Sequence, residues 1–348
     1  MLTPSTVFDL PAGAEAAAPN ERRGLPRDGG RLLVARQGAL SHCRFRDLPD
    51  VLVPGDVLVL NTSATLAAAL DGVDASGAAV PVHVSTELDD GTWVVELRRP
   101  DNAGPDLTRR RGEEVELPAG VRLRLLHPYP VPAAVSSRLW RARATAAGSR
   151  PAYLRRHGRP IEYGHLRGRF SLADHQTVYA GEPGSAEMPS AGRPFTDRLL
   201  VRLISRGVTV VPLVLHCGVS SPELHEPPTP ERFVVPPATA DAVNAAVAGD
   251  RRVIAVGTTV VRALEAVVGP DGGVHPASGW TDVVISAEHP SRVVNGLLSG
   301  LHAPQASHLV MLETVAGADV VAAAYAAALE QGYLWHEFGD SMLFFRGG

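Results

Sequence analysis

Residues 251–265 read RRVIAVGTTVVRALE, and the fold turns on this stretch. Val253, Ile254, Ala255 and Val256 form a short continuous apolar run, mostly β-branched, the pattern of a strand buried on both faces. The run stops at Gly257. After Thr258 and Thr259, the residues Val260, Val261, Leu264, Val267 and Val268 recur at helical spacing, so the unit reads strand, glycine turn, helix. Glycine lets backbone N–H groups approach a ligand closely, and a helix opening on the same turn offers unpaired donors and a partial positive charge. Such a turn suits a carboxylate or a phosphate. The plainer alternative is that Thr258 or Thr259 caps the helix and that Arg262 and Glu265, three residues apart, form a surface pair. The stretch is neither a Walker loop nor a GxGxxG turn.

With 348 residues the chain can bury a large core and is expected to divide into two domains. Its 45% hydrophobic and 20% charged content is ordinary for a globular protein. All 33 basic residues are arginine, a bias expected of a GC-rich genome, and the net charge of −4 does not mark a nucleic-acid binder. Cys43 and Cys217 lie far apart with no CxxC, which fits a reducing compartment. No basic segment followed by an apolar core opens the chain, and the apolar run at 320–329 falls short of the roughly 20 residues that span a bilayer. The expected location is cytoplasmic, with no membrane partner.

Residues 1–30 are rich in Ala, Pro, Gly and Arg and read as largely irregular. Apolar runs at 31–35 and 57–60 read as strands, the second ending on Asn61-Thr62-Ser63, a polar cluster that either caps the next element or lines a site. From 64 to 153 the texture changes to short β-like pieces at 79–84, 92–98, 113–117, 121–126 and 138–142, the pattern of a small barrel. Between Arg98 and Arg169 stand 16 arginines against six acidic residues. That excess is either a polyanion-binding face or a solvated arginine-rich surface.

The α/β pattern takes over after Phe170. Thr196 is placed to cap a helix with Leu199, Leu200, Leu203 and Ile204 on one face, and Gly207 to end it. A strand at 208–215 runs into His216-Cys217-Gly218, and the Pro-rich stretch 222–230 leads to a helix expected to begin near Thr239 and end at Gly249. Further strands are expected at 280–285 and 292–298, a helix at 319–331, and a final strand after Gly339-Asp340. None of the 13 histidines has HExxH or another close metal-ligand spacing, and no serine sits in GxSxG, so no metal is expected.

Taken in order, RLLVA with FRDLPDVLVPGDVLVLNTS, HQTVYA, PSAGRPFT, LHCG, RVIAVGTTVVRALE, the GWTD turn, LHAP and FGDSML resemble the QueA family over nearly the whole chain. These are the S-adenosylmethionine:tRNA ribosyltransferase-isomerases of queuosine biosynthesis. The resemblance implies a large α/β domain built from both chain ends (1–63 and 154–348) with a small β-barrel domain (64–153) inserted. It implies S-adenosylmethionine as co-substrate, tRNA as partner, no metal, and transfer of the ribosyl group to a 7-aminomethyl-7-deazaguanine base to give epoxyqueuosine, adenine and methionine. That chemistry needs a base to remove a ribose proton beside the sulfonium, a donor for departing adenine, and a neutral attacking amine.

Carried over residue by residue, the resemblance implies a substrate-binding set of Asn61, Gln176, Thr177, Tyr179, Ala191, Gly192, Thr196, Gly218, Gly257, Thr258, Thr259, Arg262 and Asp282. His216, His302 and Asp340 become the candidates for proton transfer, and Glu265 is expected to hold Arg262. Several loops depart from the family pattern: Asn61-Thr62-Ser63-Ala64 replaces NDTR, Arg193-Pro194 replaces a Leu-His pair, Ser220-Ser221-Pro222 replaces GTF, and Gly300-Leu301-His302-Ala303-Pro304-Gln305 stands in place of NFHLPK. Two alternatives accommodate those changes: an enzyme of this fold with a small-molecule acceptor, and a catalytically silent RNA- or nucleoside-binding relative.

Overall fold

The computed structural model describes residues 3–100, 104–134, 137–145, 148–220 and 229–347. In chain order the first strands are β1 (Arg31–Arg36), β2 (Ala39–Arg44), β3 (Val57–Asn61) and β4 (Ser63–Thr65), with the short helix α1 (Leu48–Val51) before β3. Six strands come next: β5 (Ala69–Asp74), β6 (Ala79–Glu87), β7 (Trp93–Leu97), β8 (Glu114–Leu117), β9 (Val121–Pro128) and β10 (Leu139–Ala144). After α2 (Arg150–His157) come β11 (Glu182–Ser185), α3 (Asp197–Ser205), β12 (Thr209–Leu215), β13 (Glu231–Val235), α4 (Pro237–Ala248), β14 (Val253–Val256) and α5 (Thr258–Glu265). The chain closes with β15 (Ala277–Thr281), β16 (Gly296–Gly300), α6 (Ser307–Ala316), α7 (Ala318–Glu330) and β17 (Ser341–Phe345).

Nine strands form one sheet in the order β15-β13-β12-β3-β14-β16-β17-β1-β2. Its centre, β12, β3, β14 and β16, is parallel. The 251–265 stretch therefore lies mid-sheet, and all four residues of β14 are buried. Period-two alternation sends successive side chains to opposite faces. Val57, Val59, Val253, Ala255 and Leu297 pack with α4, α5, α6 and α7, while Leu58, Leu60, Ile254, Val256 and Leu298 pack against Phe45, Phe195, Leu199 and Leu203. Among the described residues no single helix is long and apolar enough to cross a membrane; α6 and α7 reach that length only together, bent by 118°.

The six strands β5 to β10 close into an antiparallel barrel ordered β10-β7-β6-β5-β8-β9. The expected α/β architecture with a small barrel is thus present. In β9, Val121, Leu123 and Leu125 fill the barrel core and Arg122 and Arg124 point outward. Strand β5 is absent from the expected set, because its ALDGVD carries two aspartates and a glycine. That glycine is required by close approach, because a Cβ on Gly72 would stand 2.5 Å from a methyl of Val115.

Three other expectations need correction. The strand expected at 280–285 is β15, ending at Thr281; beyond it the apolar residues 283–285 line a cavity instead of joining the sheet. The strand expected at 292–298 begins only at Gly296. Helix α4 starts at Pro237, a residue with its φ preset for the first turn, and the hydroxyl of Thr239 donates to the Pro212 carbonyl instead of capping. Thr196 does cap α3, accepting from Leu199 N–H at 3.1 Å.

Candidate functional site

The C-terminal ends of β12, β3, β14 and β16 lie on one edge of the sheet, where open α/β sheets place ligands. A cavity of about 290 Å3 occupies this edge, between the strand ends and residues 160–163 that follow the barrel. Its wall takes Gly218 after β12, Gly257, Thr258, Thr259 and Arg262 from the β14 turn and α5, and Ser299 to His302 from the end of β16 and the two residues beyond it. Gly257 sits at φ +92°, a conformation that a side chain disfavours. It is the N-cap of α5 and makes no side-chain cap, so neither threonine caps the helix. Thr259 Oγ1 accepts from Asn61 Nδ2 at 3.3 Å. The Thr258 hydroxyl has no intramolecular hydrogen-bond partner among the described residues, and the residue lines the cavity.

Arg262 and Glu265 are not a surface pair. Both are buried, and each reaches a different distant segment. Arg262 donates to Glu231 and to the carbonyls of Val283 (2.9 Å), Thr281 (3.2 Å) and Thr229 (3.3 Å). Glu231 in turn accepts from Gly218 N–H at 2.7 Å, which ties the β12 exit to α5. Glu265 accepts from Ser291 Oγ and the N–H groups of Arg292 and Val293, so it organises the approach to β16 and does not hold Arg262.

His302 and His308 line the cavity together with His165, His175 and His336, and His216 stands behind it. His302 is anchored through its backbone by the Tyr325 hydroxyl and the Trp335 indole, and its Nε2 lies 2.8 Å from Ser299 Oγ. Its ring stacks on that of His308, with centroids 4.4 Å apart and planes 6° from parallel. Burial, then the neighbouring His308 and His336, hold the His302 pKa well below the usual imidazole value; burial and then Arg262 bring His308 down to about 4. Both rings are therefore neutral bases at pH 7. His216 does not line the cavity. It lies behind it, its ring against Gly184, with Nδ1 2.7 Å from Ser63 Oγ, which is 2.6 Å from Ser185 Oγ. Ser185 accepts from Cys217 N–H, so the chain is satisfied when Ser185 donates to Ser63 and Ser63 to Nδ1, leaving the His216 proton on Nε2. Burial, then Arg150, lower His216 to about 4.

Several expected site residues take structural positions. The Gln176 side-chain amide pairs with both backbone groups of Thr65. The Tyr179 hydroxyl is pressed against Gly192, where an added Cβ would come within 2.0 Å of it. Thr177 is buried behind the same contact, Thr196 is a helix cap, Asn61 bridges Leu215 and Ser63, and Asp282 is exposed and off the cavity. Ala191 lines the cavity. Asp340 lies in a separate small recess and is spent on Arg31, accepting from its backbone N–H (2.7 Å) and Nε (3.0 Å), and on Leu334 N–H (2.9 Å). The five residues His216, Thr258, Thr259, His302 and Asp340 therefore do not share one wall; Thr258, Thr259 and His302 do. The loop 222–230 lies outside the described residues up to 228.

Other cavity groups are not legible in the sequence. His308 stands there unmarked, just ahead of the apolar run 309–315. Glu187 receives hydrogen bonds from the Tyr163 hydroxyl and from Ser220, and burial raises its pKa. The arginine excess divides in two. Arg98 and Arg138 are buried on Glu96, Arg109 meets Asp74, Asp106 and Glu113, and Arg150 is buried on backbone carbonyls. Arg110, Arg111, Arg143, Arg155 and Arg156 are exposed.

Residues 4–344 match the model of the family described as queuosine biosynthesis protein. The chain is 36% identical to the S-adenosylmethionine:tRNA ribosyltransferase-isomerase of Moorella thermoacetica, with 97% of each chain covered. It is 35% identical to the protein of that name from Symbiobacterium thermophilum, again over 97% of each. The solved S-adenosylmethionine tRNA ribosyltransferase of Thermotoga maritima superposes with a TM-score of 0.54 at 26% identity, covering 97% of this chain and 99% of that one. Full-length matches of this kind, together with the strand-edge cavity, establish that the chain belongs to the queuosine biosynthesis protein family.

Proposed function

We propose that this chain transfers the ribosyl group of S-adenosylmethionine to a 7-aminomethyl-7-deazaguanine base in tRNA and isomerises it, giving epoxyqueuosine and releasing adenine and methionine. The observation that carries this reading is likeness to ribosyltransferase-isomerases over 97% of both chains. We take residues 64–153 as the inserted domain, a division supported by the barrel strands falling between Ala69 and Ala144. Thr258 and Thr259, with the opening turn of α5, receive the methionine carboxylate. His302, neutral and steadied by Ser299, removes the ribose proton. Glu187, a carboxyl whose proton affinity burial raises, serves the departing adenine. Arg110, Arg111, Arg143, Arg155 and Arg156 meet the tRNA backbone. The proposed compartment is the cytoplasm, where both substrates occur.

The test is incubation of the purified chain with S-adenosylmethionine, with and without tRNA carrying the deazaguanine precursor, following adenine and methionine by chromatography. Adenine released only with the tRNA is the expected result. Release with a small acceptor, or no release under any condition, overturns the proposal.

A further inference from the structure

Two histidines and two carboxylates from three separate segments gather at one side of the cavity, His165, His336 and Glu337 lining it and Glu15 standing against His336. Glu15 lies in the N-terminal segment, which bridges to Trp335; His165 comes after α2; His336 and Glu337 precede β17. One ligand atom from each of Glu15, His165 and His336 lies within 4.8 Å of the other two. The two rings stack, with centroids 4.6 Å apart and planes 19° from parallel. His336 Nε2 is 3.0 Å from Glu15 Oε1, and His165 Nε2 is 3.1 Å from Glu337 Oε2. We infer that these residues form a binding site for a zinc-class divalent metal ion, with Glu15, His165 and His336 as ligands and Glu337 as fourth ligand or orienting partner.

The choice of partners is informative. Several other carboxylates of this chain recruit arginine: Asp340 takes Arg31, Asp56 takes Arg252, Glu231 takes Arg262, and Glu96 takes Arg98 and Arg138, while Glu187 takes the Tyr163 and Ser220 hydroxyls. Glu15 and Glu337 face imidazoles, and among the described residues neither is ion-paired with an arginine. A guanidinium cannot ligate a metal, whereas imidazole nitrogen with carboxylate oxygen is a zinc-class donor set. His336 is held at φ +69°, in the left-handed region that costs a non-glycine residue about 1 kcal/mol or more. Its carbonyl accepts from Gly339 N–H at 2.9 Å, and this turn delivers the ring to the stack. Ligand atoms about 2.0–2.2 Å from an ion sit about 3.4 Å apart, so only a modest closure of the present spacing is needed. The ion would tie the N-terminal segment, the connector after α2 and the turn before β17 into one wall of the cavity. Because the ligands are scattered through the sequence, no spacing motif announces them.

The test uses the untagged full-length chain, stripped with a chelator and desalted, then titrated calorimetrically with Zn2+ and followed in parallel by the visible absorbance of Co2+. One ion per chain is expected. Outer-shell changes alone cost about 10- to 100-fold in metal affinity, so His165→Asn and His336→Asn should each weaken Zn2+ by about 100-fold or more and Glu337→Gln by about tenfold. His275→Asn, an exposed histidine beside Asp271, should change nothing. Circular dichroism of the metal-free proteins checks each fold; Glu15→Gln, at a partly exposed carboxylate, replaces any variant that fails to fold. Absence of Zn2+ and Co2+ binding, or binding that the ligand variants leave equal to wild type, overturns the inference.

Discussion

Replacing Arg262 by Met removes every donor of the buried guanidinium while keeping most of its aliphatic length. Arg262 is 4% exposed and donates to Glu231 and to three carbonyls from two segments. Without it the Glu231 carboxylate keeps, among the described residues, the Gly218 N–H as its one donor. Stranding one partner of a buried pair costs about 3–5 kcal/mol, and the lost carbonyl contacts act in the same direction. Adding Glu231→Gln removes the stranded charge. The double variant should therefore be less destabilised than the sum of the singles, with a coupling of about 1–3 kcal/mol. Arg262→Lys should recover only part, since one ammonium cannot reproduce the fork that spans Glu231 and the carbonyls. Urea denaturation followed by fluorescence of the four tryptophans measures each of these proteins. A loss below about 1 kcal/mol in Arg262→Met, or additivity within about 0.5 kcal/mol in the double variant, refutes the view that this pair holds the cavity floor.

Thr258→Val and Thr259→Val should each weaken S-adenosylmethionine by about ten- to a hundredfold in calorimetry, the worth of a hydrogen bond to a charged group; unchanged affinity removes the proposed carboxylate anchor. Thr259→Val also deprives Asn61 of an acceptor, so it alone should lower the melting temperature. Gly192→Ala should cost about 1–3 kcal/mol by overpacking the Tyr179 hydroxyl, and much less in a Tyr179→Phe background; equal costs in the two backgrounds would count against that contact. His216 and His308 titrate at about 4 when folded against an ordinary imidazole value of 6.5, so the unfolded chain binds more protons in between. Their contribution is complete above pH 6.5 and is lost as pH falls toward 4, by on the order of 3 kcal/mol per ring at most. Thermal melts flat from about pH 7.5 to 5 would contradict this sign.

Local pattern alone was enough for the strand at Val253–Val256, the Gly257 turn, the start of α5 and the Thr196 cap, because burial and capping depend on the period and type of neighbouring residues. It carried the helix too far, since α5 ends at Glu265 and Val267 and Val268 lie in the turn and bridge beyond it. The ordered segments also carried the family. Local pattern could not supply the partner of any polar side chain. Arg262 and Glu265 stand three apart on one helix, yet one reaches back 31 residues to Glu231 and the other forward 26 to Ser291. Asp340 reads as a site acid in sequence and is consumed by Arg31, 309 residues away. His308 carries no signal ahead of the apolar run 309–315 until the β16 exit brings His302 onto its ring, and Glu15, His165 and His336 meet only where three segments converge. Period and turn chemistry act over a few residues and decide which faces are buried; charge pairing and ring stacking act between whatever the sheet order brings within 4 Å or so, and that order exists only in the folded chain.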